Sequence, residues 1–389
     1  MSASLLFLSN GHGEDLNGSL ILAALQRQYP QVSCLALPLV GQGQAYRRLG
    51  VSLIAPTQTL PSGGMIYTHP LNWLKDLGGG LLTLTYGQIK ALRSYRSHLQ
   101  GCAVIGDVVP LAFAYFSGRP FVAFLVSTSS YYEGHLQLPL LTTFFLRSRQ
   151  CRGILTRDSL TAADLQARGF RQAQFLGYPI MDGLEPRGQI LPWQGEKGKI
   201  ALLPGSRLPE ALENLALQLQ LCQALQAQQP LHFAAALVPS ITVQDLKNLA
   251  QRHHWHYQEP GFLQRGDCRV FCAWDSFNDI LATCDLVLGM AGTAVEQAVG
   301  LGKPVLQIPG AGPQFTYAFA EAQMRLLGPG VITLPPAVPL AQAVPLILKI
   351  LADGEFLNLC SRQGQERVGP PGGSGAIADA LYRLLLAGE

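Results

Sequence analysis

The sequence predicts an α/β protein built from two doubly wound halves, and three observations predict it. Short apolar, strand-like runs alternate with helix-like segments along the chain, the pattern of parallel sheets covered by helices. A stretch rich in Pro and Gly, residues 177–199, interrupts this alternation, which then restarts. The 389 residues also exceed what one hydrophobic core organises.

Taken in order, residues 5–9 read as a first buried strand, 16–28 as a helix and 33–38 as a strand again. Residues 102–105, 121–125, 153–156 and 173–176 are further short apolar strands. Beyond the interruption come strands at 199–203, 233–238, 269–271, 285–289 and 304–308. A helix starts near Glu210, and the Gln-rich patches in 215–229 read as its solvated face. An apolar helix, 375–386, follows a Gly-Pro-Pro-Gly-Gly-Ser-Gly turn. The expected division is residues 1–177, a linker 178–198, residues 199–374, and a C-terminal helix within 375–389 that returns to the first half or exchanges with a partner in a homodimer. Small molecules bind such sheets outside the carboxyl ends of the strands, so two facing halves predict one central cleft.

Hydrophobic residues make up 48% of the chain and charged residues 14%, against a usual charged share of about 25%. Mean hydropathy is positive, +0.19. The longest apolar candidate, 104–126, is broken by Asp107, Pro110, Gly118, Arg119 and Pro120, so a spanning helix is not expected and a peripheral membrane contact is. A net charge of +3 gives no footing for nucleic acid. The N-terminus reads as a strand rather than a signal peptide, and a cytoplasmic location is expected. Eight cysteines are scattered; Cys268 and Cys272 are the closest pair, and no second pair completes a zinc site. They read as buried thiols in a reducing compartment.

The most informative stretch is 285–309, read as a strand, a Gly289-Met-Ala-Gly-Thr293 turn, a helix and a second strand. A small-residue turn that opens a helix lets backbone N–H groups approach an anion, and the helix dipole favours that anion. Glu296, three residues after Thr293, is expected on the first helical turn, within reach of a ribose hydroxyl. The ligand these features suit carries a diphosphate and a sugar. The second half opens with Ile200-Ala-Leu-Leu-Pro-Gly-Ser-Arg207, a strand running into a turn. Gly205 and Ser206 lead to Arg207, whose guanidinium fork suits phosphate oxygens; a structural turn with an exposed arginine is the alternative. The first half opens similarly, with Ser9-Asn-Gly-His-Gly-Glu-Asp15. There Gly11 and Gly13 permit a tight turn, and Asp15 reads either as an acceptor-side residue or as the helix N-cap.

Three pieces occur in order: Phe175-Leu-Gly-Tyr-Pro-Ile-Met-Asp182, Leu202-Leu-Pro-Gly-Ser-Arg207 and Leu288-Gly-Met-Ala-Gly-Thr-Ala-Val-Glu296. With them the chain resembles lipid-A-disaccharide synthase and its relatives, glycosyltransferases of the GT-B fold, and looks nearest to the branch related to the synthase rather than to the synthase itself. The resemblance implies two Rossmann-like domains facing a central cleft. It implies an inverting transfer, without metal or cofactor, of a sugar of the N-acetylglucosamine type from a UDP-sugar to a lipid acceptor at a membrane. It assigns Arg207 to the donor diphosphate with Ser206 and Gly205 beside it, Gly292 and Thr293 to the diphosphate, Glu296 to the ribose and Gln323 to the donor sugar. On the acceptor side it implies the loop Gly11, His12, Gly13, Glu14 and Asp15, with His12 as a base or a lining residue.

Asp107, in Val104-Ile-Gly-Asp-Val-Val-Pro110, resembles an aspartate of the synthases. An inverting transfer needs a base for the acceptor hydroxyl, and apolar flanks raise a carboxyl pKa toward that work. The alternative for Asp107 is a helix cap. Residues 65–86, followed by Lys90, Arg93, Arg96 and His98, read as an interfacial membrane face or as an ordinary core helix. His253, His254 and His256 read as surface residues. Two rival functions stay open: a UDP-sugar epimerase of the same fold, and a non-catalytic nucleotide-sugar-binding protein at a membrane.

Overall fold

The computed structural model describes residues 4–58, 81–193, 195, 198–290, 292–310 and 316–387, with the side chains of residues 12, 81 and 82 excepted. The chain forms two compact units, Met1–Gly183 with Pro370–Glu389, and Leu184–Gly369. The predicted α/β class holds, with one doubly wound sheet in each unit.

The first unit contains strands β1 (Ser4–Ser9), β2 (Ser33–Pro38), β3 (Ser52–Leu53), β4 (Leu99–Ile105), β5 (Phe121–Leu125), β6 (Cys151–Thr156) and β7 (Ala173–Phe175). They pair in the order β3-β2-β1-β4-β5-β6-β7, every pair parallel. Strands of a parallel sheet are covered on both faces and read as continuous apolar runs; Leu5, Leu6, Phe7 and Leu8 are all 0% exposed. The winding reverses between β1 and β4, where Ser9 pairs with Ile105.

The helix Gly373–Leu385 belongs to this unit although it ends the chain. It lies against the helix His12–Gln28 and across β4, β5 and β6. Tyr29 and Tyr382 stack with centroids 3.9 Å apart, and the Tyr29 hydroxyl donates to Asp379 at 2.9 Å. Two strand glycines clear its path: a Cβ on Gly101 would meet Leu385 at 3.1 Å, and one on Gly153 would meet Leu384 at 2.8 Å.

The expected linker 178–198 is no free connection. Tyr178, Ile180 and Met181 are buried in the first unit, and the Asp182 carboxylate accepts from the backbone N–H groups of Gly372 and Ser374. After Gly183 the chain is bound to the second unit instead. Asn278 donates to the Glu185 carbonyl at 2.9 Å, the Gln189 N–H to Asp279 at 3.0 Å, and the Trp193 indole to Thr283 at 3.0 Å. The boundaries therefore fall after Gly183 and Gly369 rather than at 177, 198 and 374. Irregular backbone in this stretch finds its partners in long-range bonds that local composition does not reveal.

The second unit contains β8 (Lys199–Leu203), β9 (His232–Leu237), β10 (His256–Gln258), β11 (Phe262–Arg265), β12 (Cys268–Trp274), β13 (Leu286–Gly289), β14 (Val305–Gln307) and β15 (Val331–Thr333). The order is β10-β11-β12-β9-β8-β13-β14-β15. Its core is parallel, but β10–β11 and β11–β12 are antiparallel pairs at one edge, which the expectation of parallel sheets missed. The helix Glu210–Gln226 is also less solvated than its glutamines suggested. Gln218 is 0% exposed and donates to the Leu288 carbonyl at 3.0 Å; Asn214, also 0%, donates to the Pro204 carbonyl at 3.0 Å. A buried amide survives in a core only with such partners.

Candidate active site

Each sheet has one point where the winding changes direction, and an open α/β sheet offers its ligand crevice there, outside the strand carboxyl ends. In the second unit this point lies between β8 and β13, with Leu203 paired to Gly289. The Met290 N–H donates to the Leu203 carbonyl at 2.9 Å, so the two outgoing loops start side by side. One is Pro204-Gly205-Ser206-Arg207, turned by Gly205 at φ +111°. Ser206 and Arg207 are exposed, and the Arg207 carbonyl takes the first turn of the following helix through Ala211 N–H at 2.8 Å. Asn214 fixes the base of this loop from inside that helix, a role that local sequence did not signal.

The other loop leads into the helix Gly292–Gly300. Its close packing needs Gly289, where a Cβ would meet Val295 and Val305 at 2.7 Å each. Gly292 and Thr293 head the helix and are half-buried, leaving first-turn N–H groups without intrahelical acceptors. Glu296 was expected on the first turn; the helix begins at Gly292, which puts Glu296 on the second. Gln323, expected to line the donor sugar, is 4% exposed and committed elsewhere. Its amide N–H donates to the Gly292 carbonyl at 2.7 Å, its oxygen accepts from Gln307 at 2.7 Å, and Gln307 accepts from Thr333 at 2.8 Å. This relay ties the helix start to the ends of β14 and β15. Burial accounts for the difference, because a buried amide is favoured where partners meet it, and Gly292 and Gln307 meet both ends of this one.

In the first unit the switch point lies between β1 and β4 and gathers carboxyls. The Glu14 side chain turns back to accept from the Asn10 N–H at 2.6 Å and from the Ser127 hydroxyl at 2.8 Å. It rests on Gly106, whose φ is +132° and where a Cβ would meet the carboxyl at 2.5 Å. Burial, then the neighbouring charge of Asp107, push Glu14 up to about 8 despite these two hydrogen bonds. Asp15 is 4% exposed, accepts from Ser9 at 2.6 Å, and is pushed by burial to about 7. The fully buried Tyr46 completes this chain by donating to Ser9 at 3.1 Å.

Several expectations change here. Asp107 is the N-cap of the helix Val108–Ser117, accepting from Val109 N–H at 3.0 Å, so its capping role is realised. Asp15 is not a cap; the cap position is Gly11, with no side-chain bond. Gly11, at φ 167°, is extended backbone, and Gly13 lies inside the helix, so neither makes a left-handed turn. Gly106 does that instead. Glu14 stands beside Asp107, a pairing the sequence did not indicate, and Ser127, Tyr46 and Gln307 had no local signal either. The His12 side chain lies outside the described residues, as do residues 65–80 of the expected membrane face. Among the described residues no group of three or more His, Cys, Asp or Glu is placed to hold a metal ion.

No protein-family model and no curated protein matches this sequence. Solved structures do match its fold. The calicheamicin glycosyltransferase CalG4 superposes with a TM-score of 0.65 at 14% identity, covering 99% of each chain. A putative UDP-N-acetylglucosamine 2-epimerase from Listeria monocytogenes gives 0.61 at 12%, over 100% of this chain and 98% of that one. The spinosyn rhamnosyltransferase SpnG, complexed with thymidine diphosphate, gives 0.60 at 16%, over 98% and 99%. The chain thus has the two-sheet fold seen in GT-B glycosyltransferases and in nucleotide-sugar epimerases.

Proposed function

We propose that the chain is a metal-independent, inverting glycosyltransferase that moves a sugar of the N-acetylglucosamine type from a UDP-sugar to a lipid acceptor at a membrane surface. The observation that carries this reading is the division of chemistry between the two switch points. One presents an arginine loop beside a helix N-terminus, the arrangement that suits a diphosphate. The other presents paired carboxyls, the arrangement that suits proton transfer.

In the proposed reaction the acceptor oxygen attacks the anomeric carbon while its proton passes to a carboxylate, for which Glu14 with Asp107 beside it is the strongest candidate. The bond from that carbon to the diphosphate breaks, and the nucleoside diphosphate leaves with the electron pair. Arg207, Ser206 and the first-turn N–H groups at Gly292 and Thr293 stabilise the charge that develops on it. Glu296 holds the ribose. Gln323 keeps the helix start in place. The resemblance to the lipid-A-disaccharide synthase relatives supports the choice of sugar and of a lipid acceptor. No helix among the described residues is long and apolar enough to cross a membrane, and the proposed association is peripheral.

Calorimetric titration with UDP and UDP-N-acetylglucosamine tests the donor assignment. Arg207→Ala and Glu296→Ala are expected to weaken binding by about 10- to 100-fold each, the loss typical of a hydrogen bond to a charged group, with the melting temperature kept. Unchanged affinity in both variants would remove the donor site from this loop and helix. A UDP-sugar epimerase is the second reading, favoured by the likeness to the 2-epimerase structure and by the two carboxyls with raised pKa. Incubation with UDP-N-acetylglucosamine alone separates the two: an epimerase converts it, whereas a transferase leaves it or slowly hydrolyses it.

A further inference from the structure

In the first unit the helices Val108–Ser117 and Leu140–Leu146 pack side by side. Tyr115 is wedged between Phe144 and Phe145, with ring centroids 5.5 and 5.2 Å away. Their inner residues are part of the core: Leu111, Ala114 and Leu146 are each 0% exposed. Their outer residues are not the polar set that a solvated face carries. Phe116 is 74% exposed, Leu140 88%, Leu141 63% and Phe144 56%. A shallow hollow of about 610 Å³ beside them is lined by Tyr115, Leu140, Phe144, Arg147 and Arg149 among others.

Cations surround this patch. Arg147 and Arg149 follow the second helix and are exposed. Arg119 donates to the Arg96 carbonyl at 2.9 Å, and the Arg96 guanidinium lies over Gly118, so both cations stand at the end of the first helix beside Phe116. Residues 81–152 hold seven Lys and Arg against two acids, Asp107 and Glu133, whereas the whole chain holds 28 against 25. The excess is local to the segment that carries the patch.

We propose that this face docks the protein on an anionic phospholipid bilayer. Phe116, Leu140, Leu141 and Phe144 enter the boundary between headgroups and acyl chains, while Arg96, Arg119, Arg147 and Arg149 meet the lipid phosphates. Water gains nothing from a cluster of large apolar side chains. A second copy is the poorer occupant, because a two-fold contact through one patch would bring arginines against arginines. The inference rests on the membrane-surface reading above and gives it a location on the helices Val108–Ser117 and Leu140–Leu146, with Arg96 shared with the face expected at 65–98.

Flotation of the full chain with vesicles tests it, using phosphatidylcholine alone and phosphatidylcholine mixed with phosphatidylglycerol. The parent is expected to float only with the anionic vesicles, and less at high salt. Leu140→Ser with Phe144→Ser, and separately Arg147→Glu with Arg149→Glu, are expected to weaken partitioning about 10-fold or more, with melting temperature and UDP affinity unchanged. If the parent floats and both variants float equally well, this face is overturned while the membrane reading survives. If the parent floats with neither vesicle, both are overturned. A dimer seen by sedimentation that the Leu140→Ser, Phe144→Ser variant abolishes, without vesicle binding, would assign the face to a second copy and overturn the proposal.

Discussion

Glu14 is a carboxyl held where a carboxylate is disfavoured. Two hydrogen bonds favour its charge, but burial and the neighbouring Asp107 outweigh them, and its proton is retained to about pH 8. The sign of the consequence follows from linkage. The folded state binds this proton more tightly than the unfolded state, so folding stability falls as pH rises from the ordinary 4.5 to about 8 and is flat beyond. Glu14→Gln is therefore expected to raise the melting temperature above pH 8 and to leave it nearly unchanged below 4.5, which thermal unfolding across pH checks. If Glu14 is the base, turnover needs it ionised, so the rate should rise with pH through about 8. Glu14→Gln should abolish that limb, and Asp107→Asn should move it to lower pH by removing the like charge. A limb unchanged in Glu14→Gln would hand the role to Asp107 or His12. Gly106 is bound to the same geometry: Gly106→Ala places a methyl in the Glu14 carboxyl and strains a φ of +132°. A stability loss of about 1–3 kcal/mol is expected in denaturant unfolding, with turnover reduced alongside it.

At the scale of elements, the helix Gly292–Gly300 shows how much of the site was legible. Its small-residue start and its place after an apolar strand are local features, and they predicted a strand followed by a helix, which the structure has at Leu286–Gly289 and Gly292–Gly300, the helix starting earlier than expected. What holds its first residue is not local. Gln323 reaches the Gly292 carbonyl from another element and is itself held by Gln307, and nothing in their own neighbourhoods marked them as a relay. Gln323→Leu keeps the volume roughly but leaves Gln307 and the Gly292 carbonyl short of partners. The expected outcome is a cost of about 1–3 kcal/mol, most of it appearing as weaker UDP binding, measurable by calorimetry. A variant with unchanged affinity would show that the helix start needs no such support. The edge strands His256–Gln258 and Phe262–Arg265 were missed for the opposite reason. They are short and partly polar, and only pairing, β11 with β12 and β10 with β11, makes them strands.

At the scale of the whole molecule, the last helix completes the unit that the first residues begin. It covers strand glycines 101 and 153, which have no side chains of their own to fill that space. A chain ending at Gly369 should therefore leave the second unit's transition in place and lower the first unit's by about 10 °C or more in scanning calorimetry. Coincident loss of both transitions would mean that the two units do not melt as separate cooperative bodies. The same return of the chain explains why the division was misplaced from sequence. The stretch after Gly177 looked like a linker because its composition is irregular, yet Asp182 is bonded to Gly372 and Ser374, far along the chain.

Local patterning by itself determined the α/β class, the position of most strands and helices, and the glycine-rich turns where strands end, because periodicity and turn chemistry act over a few residues. Only the tertiary structure decided the strand orders, the company Glu14 keeps and the committed state of Gln323. Ser127 stands 113 residues from the Glu14 it bonds. A pKa set by burial, or an amide satisfied from another strand, depends on which distant elements become neighbours, and that information does not reside in any short stretch of chain.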